Sequence, residues 1–133
     1  MSPLMLDTNT VSGIVSYRHP EFRAKLRAEF HRGILISAIS YGESMFGLPN
    51  NPAATRIASI AAAFFAEMTI LPFTPSTAVR YGRLRAEMRR LGKALQPLDM
   101  LIAAHALEAG ATLVSNDRAF RHCPGLTVED WTA

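Results

Sequence analysis

Short apolar runs alternate with longer amphipathic stretches along the whole chain, and this alternation limits the possible folds more than any other feature. The runs of strand length are Pro3–Leu6, Ile34–Ser37, Thr69–Phe73, Ala111–Ser115 and Leu126–Val128. The segments between them have the apolar spacing of helices. Because strands separated by helices favour parallel pairing, the sequence predicts an α/β fold with a parallel sheet.

Proline and glycine mark the ends of the predicted helices. The predicted starts are Pro20 after His19, Ser40, Pro52 after Asn51, Pro75 after Thr74, and Pro97. The predicted ends include Gly33, the segment around Gly47 and Gly110. The chain of 133 residues contains no repeat or linker, so we expect residues 1–133 to form one domain with its own core.

The composition excludes several classes of protein. Hydrophobic residues make up 49% of the chain and charged residues 19%, as in folded globular proteins. No apolar run approaches the roughly 20 residues that span a membrane, and residues 1–6 do not resemble a secretion signal. The single Cys123 cannot form an internal disulfide, and nothing suggests a zinc cluster. We therefore expect a cytoplasmic protein that does not contact membranes.

Acidic residues stand where predicted strands end and helices begin. Three of the four aspartates occupy such junctions, namely Asp7, Asp99 and Asp117, and Glu43 occupies a fourth. Because the carboxyl ends of parallel strands share one edge of the sheet, we expect these side chains to lie close together. Oxygen donors of this kind bind hard cations such as Mg²⁺ or Mn²⁺. The pattern predicts a metal-dependent site that cleaves phosphodiesters, with one metal ion or two.

Each acid also has a structural interpretation when it is considered alone. Asp7 and Asp117 could cap helices, and Asp99 would favour the positive end of a helix dipole. Ser40 and Glu43 have the spacing of a capping box, with Glu43 at the third helical position. Capping would be served equally well by serine or threonine, so the joint pattern favours a metal site over four independent caps.

Other catalytic arrangements find less support in the sequence. The histidines and Cys123 show no pairing of a nucleophile with a base. His105 follows Asp99 by six residues and so points away from it on the predicted helix, which favours a core or surface role for the histidine. No glycine-rich phosphate loop is present.

Arginine dominates the basic residues, supplying twelve of the fourteen in a chain of net charge +3. Many lie on the helix predicted from about Ser76 to Leu91, namely Arg83, Arg85, Arg89 and Arg90, with Lys93 just beyond it. An apolar stripe of the same helix comprises Tyr81, Leu84, Met88 and Leu91. The basic residues form either a solvated face or a cationic wall along a nucleic-acid groove.

Taken together, five segments resemble the VapC toxins of the PIN-domain ribonucleases. They are Leu6-Asp7-Thr8-Asn9, Ser37-Ala38-Ile39-Ser40-Tyr41-Gly42-Glu43, Pro97-Leu98-Asp99-Met100-Leu101-Ile102-Ala103-Ala104-His105-Ala106, Leu113-Val114-Ser115-Asn116-Asp117, and Pro124-Gly125-Leu126-Thr127-Val128-Glu129-Asp130-Trp131. The resemblance covers essentially the whole chain. It implies an α/β/α sandwich with a central parallel sheet, RNA cleavage that depends on Mg²⁺ or Mn²⁺, inhibition by a VapB-type antitoxin, and a homodimer.

By position, Asp7, Glu43 and Asp99 match the acidic residues of that family. Asn116 and Asp117 compete for the fourth place, and we favour Asp117 because its carboxylate is a charged metal ligand. The resemblance further implies that Thr8 and Asn9 orient Asp7, and that the Ser40 hydroxyl supports the site. Two alternatives remain at this point: a PIN-type nuclease that matures RNA without being a toxin, and a non-catalytic interaction module.

Overall fold

A five-stranded parallel sheet forms the centre of the molecule in the computed structural model, which describes residues 1–48 and 55–132. The strands are β1 (Leu4–Leu6), β2 (Ile34–Ser37), β3 (Thr69–Leu71), β4 (Thr112–Val114) and β5 (Val128–Glu129). Their spatial order is β3-β2-β1-β4-β5, and every neighbouring pair is parallel. The predicted parallel sheet is therefore confirmed, although most strands are shorter than their apolar runs.

Helices connect the strands and cover both faces of the sheet. They are α1 (Thr8–Val15), α2 (Pro20–Glu29), α3 (Ala38–Phe46), α4 (Thr55–Ala66), α5 (Pro75–Arg90) and α6 (Pro97–Glu108). Single 3-10 turns follow α2 at Phe30–Arg32 and β4 at Arg118–His122. None of the helices in the described residues is long and apolar enough to cross a membrane.

Two hydrophobic cores fill the space between the sheet and its helices, because successive strand residues point to opposite faces. Leu4 and Leu6 face α1, α2 and α4, where they join residues such as Phe22 and Phe65. Met5 faces the opposite way and packs against α5 and α6. This division gives the α/β/α sandwich that the sequence resemblance implied.

The strand order places a crevice at the carboxyl edge of the sheet. The chain leaves β1 for β2 on one side, and β4 lies on the other side of β1. Ligands of open α/β sheets bind at such a switch point, because the connections on either side diverge there. The segments that follow β1, β2 and β4 all reach this edge, as does the N-terminal end of α6.

The structure differs from the predicted helices in two details. Helix α3 begins at Ala38 with Ser37 as its N-cap, so the prediction of a start at Ser40 was wrong. Leu91 is 54% exposed and does not belong to the buried stripe of α5. The predicted helix start at Asn51-Pro52 lies outside the described residues.

Candidate active site

Asp7 ends β1 and caps α1. Its Oδ1 accepts a hydrogen bond from the backbone N–H of Thr10 at 2.8 Å, so the capping interpretation is correct as far as it goes. The carboxyl group is almost completely buried. Burial raises the pKa of Asp7, hydrogen bonds from Ser115 and Thr10 partly oppose that rise, and the charge of Asp117 adds to it. A cap alone does not require a second carboxylate nearby, so this environment exceeds what capping needs.

Glu43 lies in the middle of α3 rather than in its first turn. Because Ser37 caps the helix, accepting from the Ile39 N–H at 3.1 Å, Glu43 is the sixth helical residue and takes no part in a capping box. Its Oε1 instead accepts a hydrogen bond of 2.6 Å from the Thr8 hydroxyl, 35 residues away in the chain. The capping interpretation of Glu43 was therefore wrong. Thr8 orients Glu43, whereas the sequence resemblance had implied that it orients Asp7.

Asp99 occupies the first turn of α6, where the helix dipole lowers the pKa of a carboxyl group. The pKa of Asp99 is nevertheless raised to about 6, first by burial and then by the charges of Asp117, Glu43 and Asp7. Repulsion among carboxylates and partial desolvation thus outweigh the dipole. The pKa of Asp99 therefore reflects the charges of all three other acids.

Asp117 caps the short 3-10 helix after β4, with Oδ1 accepting from the Ala119 N–H at 2.9 Å. Its charge acts on both Asp7 and Asp99, so it lies beside the other acids. The neighbouring Asn116 is exposed and lines a different cavity, together with Asn9 and Arg18. This geometry favours Asp117 over Asn116 as the fourth acidic site residue. Asn9 makes no hydrogen bond to Asp7 among the described residues.

The structure thus brings Asp7, Glu43, Asp99 and Asp117 into one electrostatic cluster, which we call the acidic cluster. In the described residues, no three acidic, histidine or cysteine side chains converge closely enough to form a ready-made metal site. Like charges repel at such an edge, and Glu43 and Asp99 are only partly buried, so their side chains have room to rotate. A bound cation could draw the carboxylates of the acidic cluster closer together.

The chemistry of the donors fits a hard divalent cation. All four side chains offer carboxylate oxygens, which Mg²⁺ and Mn²⁺ prefer over sulfur and imidazole ligands. The Ser40 hydroxyl, one turn before Glu43, is fully buried and has no hydrogen-bond partner among the described residues. Burying a hydroxyl without a hydrogen-bond partner is costly. The supporting function predicted for Ser40 would give its hydroxyl the partner that it lacks.

A buried histidine connects the elements behind the acidic cluster, and no local sequence pattern indicated its partners. His105 Nδ1 lies 2.7 Å from Ser37 Oγ, which joins α6 to the end of β2. Burial lowers the pKa of His105, while Glu108 and a hydrogen bond to the backbone of Pro72 oppose the shift. A neutral imidazole that accepts from Ser37 and donates to Pro72 satisfies every group. Of the two roles predicted for His105, core or surface, this burial supports the core role.

Cys123 is also a structural residue. Its side chain is buried, and burial raises the pKa of the thiol to about 11. Because the thiolate is the nucleophilic form, Cys123 is inert at neutral pH. Thiol catalysis is therefore not a competing chemistry at this position.

The raised pKa of Asp99 predicts a pH dependence of stability. The folded protein holds a proton on Asp99 up to about pH 6, whereas the unfolded chain releases it near 3.8. Folded protein therefore binds more protons than unfolded protein between these values, and this contribution to stability decreases as pH rises through that window. We expect the stability advantage of Asp99→Asn over wild type, measured by urea unfolding without divalent ions, to grow from pH 4 to pH 7. A pH-independent difference between the two proteins would contradict the assignment.

Comparison with known proteins gives a consistent result across the chain. Residues 4–126 match the family model of the PIN domain. The tRNA(fMet)-specific endonuclease VapC of Salmonella typhimurium is 31% identical over 98% of this chain and 99% of the relative. Ribonuclease VapC2 of Haemophilus influenzae is also 31% identical, with the same coverage.

Solved structures give the same picture. VapBC2 from Rickettsia felis, bound to a DNA fragment from its promoter, superimposes with a TM-score of 0.89 at 28% identity, over 97% of this chain and 98% of the other. DNA-bound VapBC from Salmonella typhimurium gives a TM-score of 0.88 at 31% identity, over 98% and 99% of the two chains. The similarity thus extends over the whole fold, including the elements that carry the acidic cluster.

Proposed function

The chain belongs to the PIN-domain family, and within it to the VapC ribonucleases, and on this basis we propose that it is a toxin endoribonuclease of a type II toxin–antitoxin pair. The proposed substrate is RNA, with tRNA or ribosomal RNA as the expected target class. The names of the relatives support this choice, since one is a tRNA(fMet)-specific endonuclease. We further propose that residues 1–133 form a single PIN domain.

The observation that best supports the proposal is the mutual influence of four carboxylates at the switch point of the sheet. Burial raises the pKa of Asp99 to about 6, and the charges of Asp117, Glu43 and Asp7 add to the rise, so the four carboxylates lie within electrostatic range of one another. A protein gains no stability from such repulsion, and strongly perturbed carboxyl groups in a cleft are common at functional sites. The non-catalytic alternative, in which the acids serve only as caps, does not explain why they are gathered together.

Each residue of the acidic cluster would have its own role in binding the metal ion. Asp7 and Asp99 would hold a Mg²⁺ or Mn²⁺ ion, and Glu43 and Asp117 would complete the site directly or through water. When bound, the ion would supply the positive charge that stabilises the negative charge growing on the oxygens around the scissile phosphorus. The Thr8 hydroxyl donates to one oxygen of Glu43 and the Thr10 N–H donates to one oxygen of Asp7, so both carboxylates are oriented before a metal ion binds.

Induced expression in a bacterial host tests the proposal. Wild-type protein should arrest growth and generate cleaved RNA, whereas Asp99→Asn should do neither. A nuclease of RNA maturation would produce trimmed RNA ends without arresting growth, so the experiment also separates that alternative. Growth arrest by Asp99→Asn at wild-type strength would refute a catalytic origin of toxicity.

We also propose a VapB-type antitoxin as partner and a homodimer as the working form. Two of the similar structures are complexes named VapBC, which supports the antitoxin. The acidic cluster is strongly anionic without a cation, so an arginine of the partner could enter it and form charge-assisted hydrogen bonds. Mass spectrometry of the protein co-expressed with its genomic neighbour should detect the complex. Free, active enzyme in that preparation would count against the partner.

The basic face of α5 gives a further prediction about RNA binding. Helices α5 and α6 pack together and are joined by residues 91–96, so the last turn of α5 lies beside the first turn of α6, which carries Asp99. Arg89 and Arg90 are exposed at that end. If they contact the RNA backbone, changing both to Gln should weaken binding and lower the salt slope by about 0.7 per lost phosphate contact.

The measurement is RNA affinity at several salt concentrations, with cleavage at saturating RNA as a second readout that should change much less. Arg27 and Arg56, exposed on α2 and α4, provide a double Gln control with the same loss of charge. Equal slopes for the two double variants would return α5 to the interpretation as a solvated face.

A further inference from the structure

A small polar cavity adjoins the acidic cluster on the side of α1 and β4. It has a volume of about 200 Å³ and is lined by Asn9, Thr10, Arg18, His19, Phe22 and Asn116. Asn9 follows Asp7 by two residues, and Asn116 directly precedes Asp117. The same Thr10 supplies the backbone N–H that holds Asp7. The cavity therefore shares a wall with the acidic cluster but is lined by different chemistry.

No carboxylate belongs to this lining. Asn9 and Asn116 offer amide groups that both donate and accept hydrogen bonds, and both residues are exposed. Arg18 adds a permanent positive charge, and His19 stacks on Phe22 with ring centroids 4.6 Å apart. A cation would prefer the neighbouring acids. This cavity instead suits an anionic group that is joined to a group able to donate and accept hydrogen bonds. A phosphate and the edge of a nucleobase together have that character.

Arg18 is held in place before any ligand arrives. Its Nη2 donates to Ser12 Oγ at 2.7 Å and its Nε donates to Ser16 Oγ at 3.0 Å, both on the preceding helical segment. In the described part of the chain its Nη1 makes no hydrogen bond, so both N–H donors of Nη1 and the second one of Nη2 are left for a ligand. An anchored side chain loses less rotamer freedom on binding, so the contact it makes contributes more to affinity.

We propose that this cavity binds one nucleotide of the RNA strand next to the scissile phosphodiester, with Arg18 contacting its phosphate and the amides of Asn9 and Asn116 contacting its base. The inference rests on the proposed function and deepens it. The cavity is too small for a helical stem, so the nucleotide must be single-stranded, as the bases of most sequence-specifically recognised RNA are. Arg18 contributes to affinity for every sequence, while the two asparagines determine which base is preferred beside the cut.

Arg18→Gln tests the phosphate contact, with Arg27→Gln as the matched control for lost charge at an exposed position. We expect Arg18→Gln to raise KM for RNA about 10-fold, the size of one charge-assisted hydrogen bond, and to change kcat much less. Arg27→Gln should leave KM near the wild-type value. Equal KM values for the two variants, or a loss confined to kcat, would overturn the assignment of Arg18.

Asn9→Ala and Asn116→Ala test the base contact by sequencing of the RNA ends. Each should relax the base preference beside the cut by about 5-fold or more, whereas Arg18→Gln should retain the preference. Unaltered preference in both asparagine variants would overturn the base contact.

Binding of a short single-stranded RNA to Asp7→Asn protein, with and without Arg18→Gln, keeps this test separate from the proposed function. If wild type cleaves RNA but Asp7→Asn protein binds the short RNA equally tightly with and without Arg18→Gln, only the cavity assignment fails. If wild type cleaves no RNA, the proposed function fails, and the binding comparison still decides whether the cavity holds a nucleotide.

Discussion

Asp7→Asn should fold as stably as wild type and lose RNA cleavage by more than about 100-fold. Asparagine keeps an oxygen that can accept the Thr10 N–H, so the cap of α1 survives. It removes the charge that a metal ligand needs. Loss of a residue that only supports a metal ligand already costs about 10–100-fold in affinity or activity, so the loss of a ligand should cost more.

Asp7→Ala provides the contrast that separates the two roles of this residue. It removes the cap as well as the charge, so its free energy of unfolding should fall by about 1 kcal/mol. Its cleavage rate should match that of Asp7→Asn. Urea unfolding and single-turnover cleavage of both variants would distinguish these effects. Full cleavage by a stable Asp7→Asn protein would show that Asp7 is only a cap.

Mg²⁺ or Mn²⁺ should raise the melting temperature of the wild-type protein and leave that of Asp99→Asn much less affected. An ion at about 100 times its Kd stabilises the folded state by about 2.7 kcal/mol. For a domain of this size that corresponds to a rise on the order of 10 °C in melting temperature. The rise should weaken below pH 6, because the raised pKa of Asp99 leaves it protonated there.

The matched control for this thermal shift is Glu67→Gln, which removes an exposed carboxylate at the end of α4, away from the acidic cluster. It should show the full wild-type shift. Equal shifts in wild type, Asp99→Asn and Glu67→Gln would mean that the ion binds elsewhere or only screens surface charge.

The sheet could be predicted from sequence because its signals are local. Apolar runs such as Ile34–Ser37 mark buried strands, and the intervening helical spacing requires parallel connections. The placement of Asp7 and Asp117 at strand ends follows from the same signals, since each comes at or just after the end of an apolar run. The proline at position 75 likewise marks the start of α5 correctly, because its fixed φ suits the first helical turn.

The internal organisation of the site could not be predicted, because it depends on contacts distant in sequence. Ser37 and Ser40 are both acceptable N-caps, and only the end of β2 decides that α3 begins after Ser37. That choice moves Glu43 from the first turn to the middle of the helix and permits its hydrogen bond with Thr8. The raised pKa of Asp99 depends on burial and on three charges that no local pattern encodes.

Cleavage of RNA by the purified, antitoxin-free protein, with the divalent ion titrated back after chelation and the RNA ends sequenced, tests the central claim most directly. The acidic cluster predicts no cleavage in the chelated protein, recovery with Mg²⁺ or Mn²⁺ at defined sites, and no such ends with Asp7→Asn or Asp99→Asn. Cleavage at the same sites by chelated wild type, or by either variant at the wild-type rate, would contradict a metal-dependent nuclease built on these carboxylates.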